Sequence, residues 1–296
     1  MKNNIAIILL LSLVALIASS CGNNSETTAT TEVKRLEPLT MVIGLDLSNR
    51  VVPAGTRERD MNSIMKAFET FEKRVQKSHY IKSSDKFVVT VLRQSSNSPE
   101  MLALAEELSI DLSAYKMGSK RKKMDEFKAA LPGKLRQLYD MAGRQTCYSG
   151  ADVWGYLDMQ LPAYLDMAED RVALILLTDG YIEMDPATEN ARRGQQYNCL
   201  NQQVLTRLRE GDAFKEKSDV LLLPETLARR KDLDRRLRML VIGFQPREGY
   251  HLEQQMLNAV WTTWLDKMGI RHQLISYDQP PVVVDKLLSK AIEKMG

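Results

Sequence analysis

Three short strings in this chain carry oxygen donors at spacings that could do chemistry: Asp46-Leu47-Ser48-Asn49-Arg50, Ser149-Gly150-Ala151-Asp152 and Thr178-Asp179-Gly180. Carboxylates and hydroxyls are hard ligands, suited to a divalent cation such as magnesium that takes oxygens in octahedral geometry and keeps positions open for water. Arg50 points the other way. A guanidinium beside two carboxylates offers them a permanent cation in place of a removable one, so Arg50 is a candidate metal substitute pairing with Asp46 or Asp179. Histidines supply nothing comparable, because His79, His251 and His272 lack the spacing of a zinc site. The strings Ser63 to Lys66 and Ser119 to Lys122 have the Ser-x-x-Lys form, but no Lys-Thr-Gly accompanies them. No group with an evident catalytic role emerges, and the expectation is a protein that is not an enzyme.

Positioning these strings requires rigid elements. Leu39 to Leu45, Phe87 to Leu92, Val172 to Leu177, Met239 to Phe244 and, less clearly, Gln273 to Tyr277 are nearly continuously apolar, as strands buried on both faces are. Between them, Met61, Ile64, Met65, Phe68, Phe71 and Val75 recur at helical spacing, as do Leu252, Met256, Leu257, Val260, Trp261, Trp264, Leu265 and Met268. Trp261 and Trp264 on such a stripe read as core rather than as a ligand platform. Further helices are expected over Asp152 to Met167 and Val282 to Lys294. The alternation predicts an α/β fold with a doubly wound, mostly parallel central sheet and helices on both faces. Ligands of such sheets sit at the carboxyl ends of the strands, where Asp46 and Asp179 stand.

Leu39 to Leu45 running into Asp46-Leu47-Ser48, the loop Ser149 to Trp154, and Leu174-Ile175-Leu176-Leu177-Thr178-Asp179-Gly180 occur in the order and context of the von Willebrand factor type A domain, which this chain resembles from about Leu39 onward. The resemblance implies a metal-ion-dependent adhesion site, normally Asp-x-Ser-x-Ser with a threonine and an aspartate from two later loops, to which a partner's carboxylate is added. Asp46, Ser48 and Asp179 then fall on the first, second and last metal positions. Arg50 stands at the second serine, and Ala151 aligns with the threonine unless Ser149 or Thr146 supplies a hydroxyl. A haloacid dehalogenase type phosphatase, the enzyme alternative, wants an aspartate where Ser48 stands.

The ends and the composition set the context. Ile5 to Ala18 is an uncharged apolar run after Lys2, short for a membrane span and right for a signal peptide. Ala18-Ser19-Ser20-Cys21-Gly22 resembles the lipobox of bacterial lipoproteins, which implies cleavage before Cys21 and a lipid on its sulfur. The expected organisation is a signal peptide over 1–20, a lipidated Cys21 with a polar tether to Glu37, and one domain over 38–296 with a helical insertion at about 181–236. As a coil, the 16 residues 22–37 would reach about 20–24 Å. Once the signal is removed, 40 basic face 38 acidic residues, a balance that asks for no nucleic acid. The clusters Lys120 to Lys123, Arg192-Arg193, Arg229 to Lys231 and Arg235-Arg236 read as solvated helix faces. Cys147 and Cys199 are expected near one edge of the sheet, where an exported location would let them pair. Together these features predict a lipid-anchored envelope protein, on the outer membrane facing the periplasm or at the cell surface. Its partner would be an envelope or surface protein, with scaffolding as the alternative role.

Overall fold

The computed structural model describes residues 37–80, 82–94, 96–145, 150–167, 171–183, 199–209, 223, 225–247, 252–277 and 279–295. Leu36–Gly296 form one compact unit. The expected signal peptide, Cys21 and tether lie outside the described residues, apart from Glu37. In chain order the elements are β1 (Leu39–Leu45), α1 (Ala54–Lys77), β2 (Lys86–Val91), α2 (Pro99–Glu106), β3 (Ile110–Asp111) and α3 (Lys120–Gly143). A helical turn Val153–Gly155 and a π-helical turn Tyr156–Gln160 lead into α4 (Leu161–Met167), followed by β4 (Arg171–Leu177). Then come α5 (Gln202–Arg209), α6 (Glu225–Ala228), α7 (Leu233–Arg236), β5 (Leu237–Phe244), α8 (Glu253–Lys267), β6 (Arg271–Ser276) and α9 (Pro281–Met295).

The six strands form one sheet in the order β3-β2-β1-β4-β5-β6. β3 is antiparallel to β2 and every other pairing is parallel. This is a Rossmann-like arrangement: the direction of winding reverses between β1 and β4, and a crevice opens outside the carboxyl ends of the strands at such a reversal. All seven residues of β1 are buried, as are six of the seven of β4, which is why both read as nearly continuous apolar runs.

Alternation along the strands feeds two apolar clusters. Met41, Ile43, Leu45, Ile175 and Leu240 pack with Ile64, Phe68 and Phe71 of α1, Leu131 and Leu135 of α3, and Leu288 of α9. Val42, Leu174, Leu176 and Val241 pack instead with Tyr156, Leu161 and the α8 residues Leu257, Val260, Trp261 and Trp264. Both tryptophans are therefore core residues, edge-on to one another at 5.5 Å. Each such aromatic, truncated to alanine, would cost about 3–5 kcal/mol.

Two expectations shift at their edges. The last strand begins at Arg271 and ends at Ser276 rather than running from Gln273 to Tyr277. Its half-buried residues alternate too weakly for periodicity to locate its start. The expected insertion contributes the short helices α5, α6 and α7 and a bridge between Ile182 and Leu200, and its remainder lies outside the described residues.

Candidate functional site

The ladder carries the two aspartates to adjoining strand ends. Asp46 extends β1 by one residue, its N–H donating to Leu177 O at 3.0 Å, and Thr178 extends β4 by donating to Ile242 O at 2.9 Å. Each aspartate then closes a local turn of the kind short carboxylates favour. Ser48 N–H donates to Asp46 Oδ1 at 2.9 Å, and Tyr181 N–H to Asp179 Oδ1 at 3.1 Å. The second Asp46 oxygen accepts from the Thr178 hydroxyl at 2.8 Å. Both aspartates are buried, Asp46 at 1% exposure and Asp179 at 7%. Burial, and then the charge of Asp46, push the Asp179 carboxyl up to about 7, with Arg50 and Arg247 opposing.

Arg50 behaves differently from expectation. A 3-10 turn over Asn49–Val51 folds its side chain inward to 3% exposure. There its two terminal nitrogens donate to Asp60 of α1, Nη1 to Oδ2 at 2.7 Å and Nη2 to Oδ1 at 3.1 Å. Neither Asp46 nor Asp179 is its ion-pair partner. Asp46 receives only a bond from Nη1 to its backbone carbonyl, at 3.2 Å. The reason is bidentate geometry: Asp60 offers one oxygen to each terminal nitrogen of the guanidinium. Tyr139 of α3 donates its hydroxyl to Asp60 Oδ2 at 2.9 Å, and Tyr277, just past β6, donates to Oδ1 at 2.6 Å. Burial and the Asp60 charge hold both phenols protonated, well above their usual value. Burial works against the Arg50 charge, but Asp60 more than offsets it and the guanidinium stays ionised.

A second arginine sits at the rim. Arg247 forms two 2.7 Å bonds to Glu183, stacks 4.1 Å from the centre of the Tyr181 ring, and lies 3.9 Å from Asp179 Oδ2. Its N–H donates to the Tyr181 hydroxyl at 3.0 Å. The small-residue loop arrives here too, with Gly150 so close to Glu183 that a Cβ would lie 2.2 Å from the Glu183 Cβ. Ala151 is buried, and Asp152 caps the following turn through Gly155 N at 2.7 Å. Behind the carboxylates, Gly243 adopts φ +108° where the pairing of β5 with β6 slips by a residue. A Cβ at that position would meet Arg50 Nη2 at 2.8 Å and Thr178 O at 2.9 Å.

Asp46, Ser48 and Asp179, the expected metal positions, stand at the same end of the sheet. Among the described residues no group of three acidic, histidine or cysteine side chains is placed to hold a metal, and the Thr178 hydroxyl donates to Asp46. Thr146, Cys147 and Ser149 lie outside those residues, so the hydroxyl repair and the expected disulfide have only one visible half. That half is Cys199, which is partly buried and accepts a bond from Asn201 Nδ2 at 3.7 Å.

Sequence reasoning placed Asp46, Ser48, Arg50 and Asp179 at one end of the sheet but missed Asp60, Tyr139, Tyr277, Glu183 and Arg247. For Asp60 a signal existed. It shares the helical phase of Ile64, Phe68, Phe71 and Val75, and a carboxylate on a buried stripe needs a partner. Among the described residues, no helix is long and apolar enough to cross a membrane. No protein-family model matches the chain, and no curated protein matches it.

Proposed function

We propose that this chain is a lipid-anchored envelope protein whose doubly wound, von Willebrand factor A-like domain captures a protein partner through the carboxyl ends of its strands. The observation that carries the reading is the pair of buried carboxyls, Asp46 and Asp179, at the point where the sheet reverses its winding. With its value near 7, Asp179 is divided between a form that donates and a form that accepts a hydrogen bond. Arg247 adds a cation at the rim, half exposed and shared with Glu183. Apolar side chains stand exposed at the same end of the sheet: Val52 after the first turn, Leu252 ahead of α8, and Val282 and Val283 opening α9, with Val282 at 78% exposure. Polar anchors within an apolar rim are what a protein interface uses. The metal of the resembled family has no part in this proposal.

The test compares capture of envelope proteins by the chain beginning at Gly22 with capture by the same chain carrying Asp46→Asn and Asp179→Asn, both shown to melt cooperatively. Loss of a specific partner in the variant supports capture through the strand ends. Equal capture assigns the chain a scaffolding role through other surfaces. The anchor is tested separately: the full chain should incorporate labelled palmitate in cells, and Cys21→Ala should abolish the label.

A further inference from the structure

The opposite, amino-end edge of the sheet has a charge pattern that the proposed capture site does not use. Of the five parallel strands, all but β1 open on a basic residue: Lys86 and Arg171 and Arg271 in first position, Arg238 in second. Register aligns three of them on one face of the sheet, since Arg238 pairs with both Ala173 and Arg271, and Arg171 lies two residues before Ala173. Acid on this edge offsets only part of the charge. Lys86 pairs with Asp111 at 2.9 Å and Arg171 with Glu37 at 2.9 Å, while Arg238 leans on the carbonyls of Asp234 and Leu237. Burial and then the charges of Arg271 and Arg171 lower the pKa of Arg238, the mark of cations held close together.

Helix α3 adds to the same edge. Lys120 donates to the carbonyl of Ser83, three residues ahead of β2, so the amino terminus of α3 lies here. That terminus is Lys120-Arg121-Lys122-Lys123, with no acid in the first turn and with Arg121 and Lys122 exposed. A helix amino terminus carries partial positive charge and favours acids, so four consecutive cations there oppose the helix's own electrostatics. Glu126, one turn on, pairs with Lys122 at 3.9 Å and with Lys123 at 2.8 Å, so one acid offsets part of a run that stays net positive.

The chain itself says which anionic surface such an edge would meet. Glu37 is clamped at this edge by Arg171 and by a bond from Arg74 to its carbonyl. The described chain therefore begins at the basic edge, and 15 residues lie between Cys21 and Glu37 in the sequence. We propose that the amino-end edge of the sheet, through Arg171, Arg238, Arg271, Lys86, Arg121 and Lys122, docks on the anionic headgroups of a phospholipid surface. The anchor reading supplies the nearby membrane, and docking would hold the capture face pointing away from it.

The experiment removes the anchor so that the two readings fail separately. Both apolar clusters lie between Leu39 and Ala291, so the chain beginning at Gly22 keeps the whole core. Its cosedimentation is measured with phosphatidylcholine vesicles with and without about 30% phosphatidylglycerol, in about 50 mM and about 500 mM salt. Binding is expected only to the anionic vesicles at low salt. An exposed arginine near such a surface contributes about fivefold, so Arg171→Gln with Arg271→Gln should weaken binding by about tenfold or more. The matched pair Arg57→Gln with Lys286→Gln, at the other end of the molecule, should leave it unchanged. Equal binding to neutral vesicles, no binding to anionic ones, or full binding by the Arg171/Arg271 variant would each overturn the proposal. Palmitate labelling of Cys21 in the full chain is unaffected by any of these outcomes.

Discussion

Two charge clusters, joined by the Arg50 bonds to the Asp46 carbonyl and to Asp60, have opposite characters. Around Asp60, every oxygen is doubly engaged: two guanidinium nitrogens and two phenols converge on one carboxylate at 0% exposure, drawn from α1, α3 and the loops after β1 and β6. Around Asp46 and Asp179, the donors are backbone amides and a threonine hydroxyl, and the nearest side-chain cation to an Asp179 oxygen is 3.9 Å away. The first cluster is closed and ties the architecture together. The second is less fully paired, which is the arrangement the proposed capture would use.

That contrast is best broken at its closed member. Asp60→Ala should be the most damaging substitution, costing about 3–5 kcal/mol in denaturant unfolding because it strands the Arg50 charge in the core. Replacing both partners, Arg50→Met with Asp60→Leu, should cost less than Asp60→Ala alone. If the single substitution is tolerated within about 1 kcal/mol, the cluster is not the tie described here.

At the open member the expected sign reverses. Asp179 holds its proton up to about pH 7 in the folded chain, against an ordinary value of 3.8, so the folded chain binds the extra proton between those limits. Its contribution to stability is complete below about pH 4, falls as the pH rises, and is lost above about pH 7. Asp179→Asn should therefore stabilise the chain at pH 8, by about 2–4 kcal/mol at most, and do little at pH 4. Melting curves across that range check it, and a wild-type melting temperature that climbs from pH 5 to pH 7 in step with this residue would contradict the assignment.

Smaller effects sharpen the boundary between the two. Arg247→Ala removes a half-exposed pair with Glu183 and should change stability by no more than about 1 kcal/mol while weakening partner capture. Magnesium, calcium or EDTA should leave the melting temperature where it was. A shift reversed by EDTA would show that residues outside those described complete a metal site after all.

Much of this was legible in the chain because burial on both faces leaves a plain signature. β1 and β4 are nearly continuous apolar runs, with Asp46 directly after the first and Asp179 separated from the end of the second by Thr178 alone. β3, two residues long and paired only at Lys86 and Phe87, has no such signature. Neither does α2, whose apolar residues occupy barely two turns. The partner of Arg50 escaped because sequence proximity favours Asp46, whereas the fold brings Tyr277 in from 217 residues beyond Asp60 to complete the carboxylate's shell. Long-range closure of that kind is set by packing, and no local spacing encodes it.

Gly243 belongs to both clusters at once. Its missing side chain leaves room for the Arg50 guanidinium on one side and the Thr178 carbonyl on the other, and its backbone is in a region that other residues seldom occupy. A methyl group there would push on the Arg50 guanidinium of the closed cluster and on the backbone of Thr178, whose hydroxyl bonds Asp46. Any residue but glycine at this position would therefore have to move both clusters, and Gly243→Ala should lower the melting temperature.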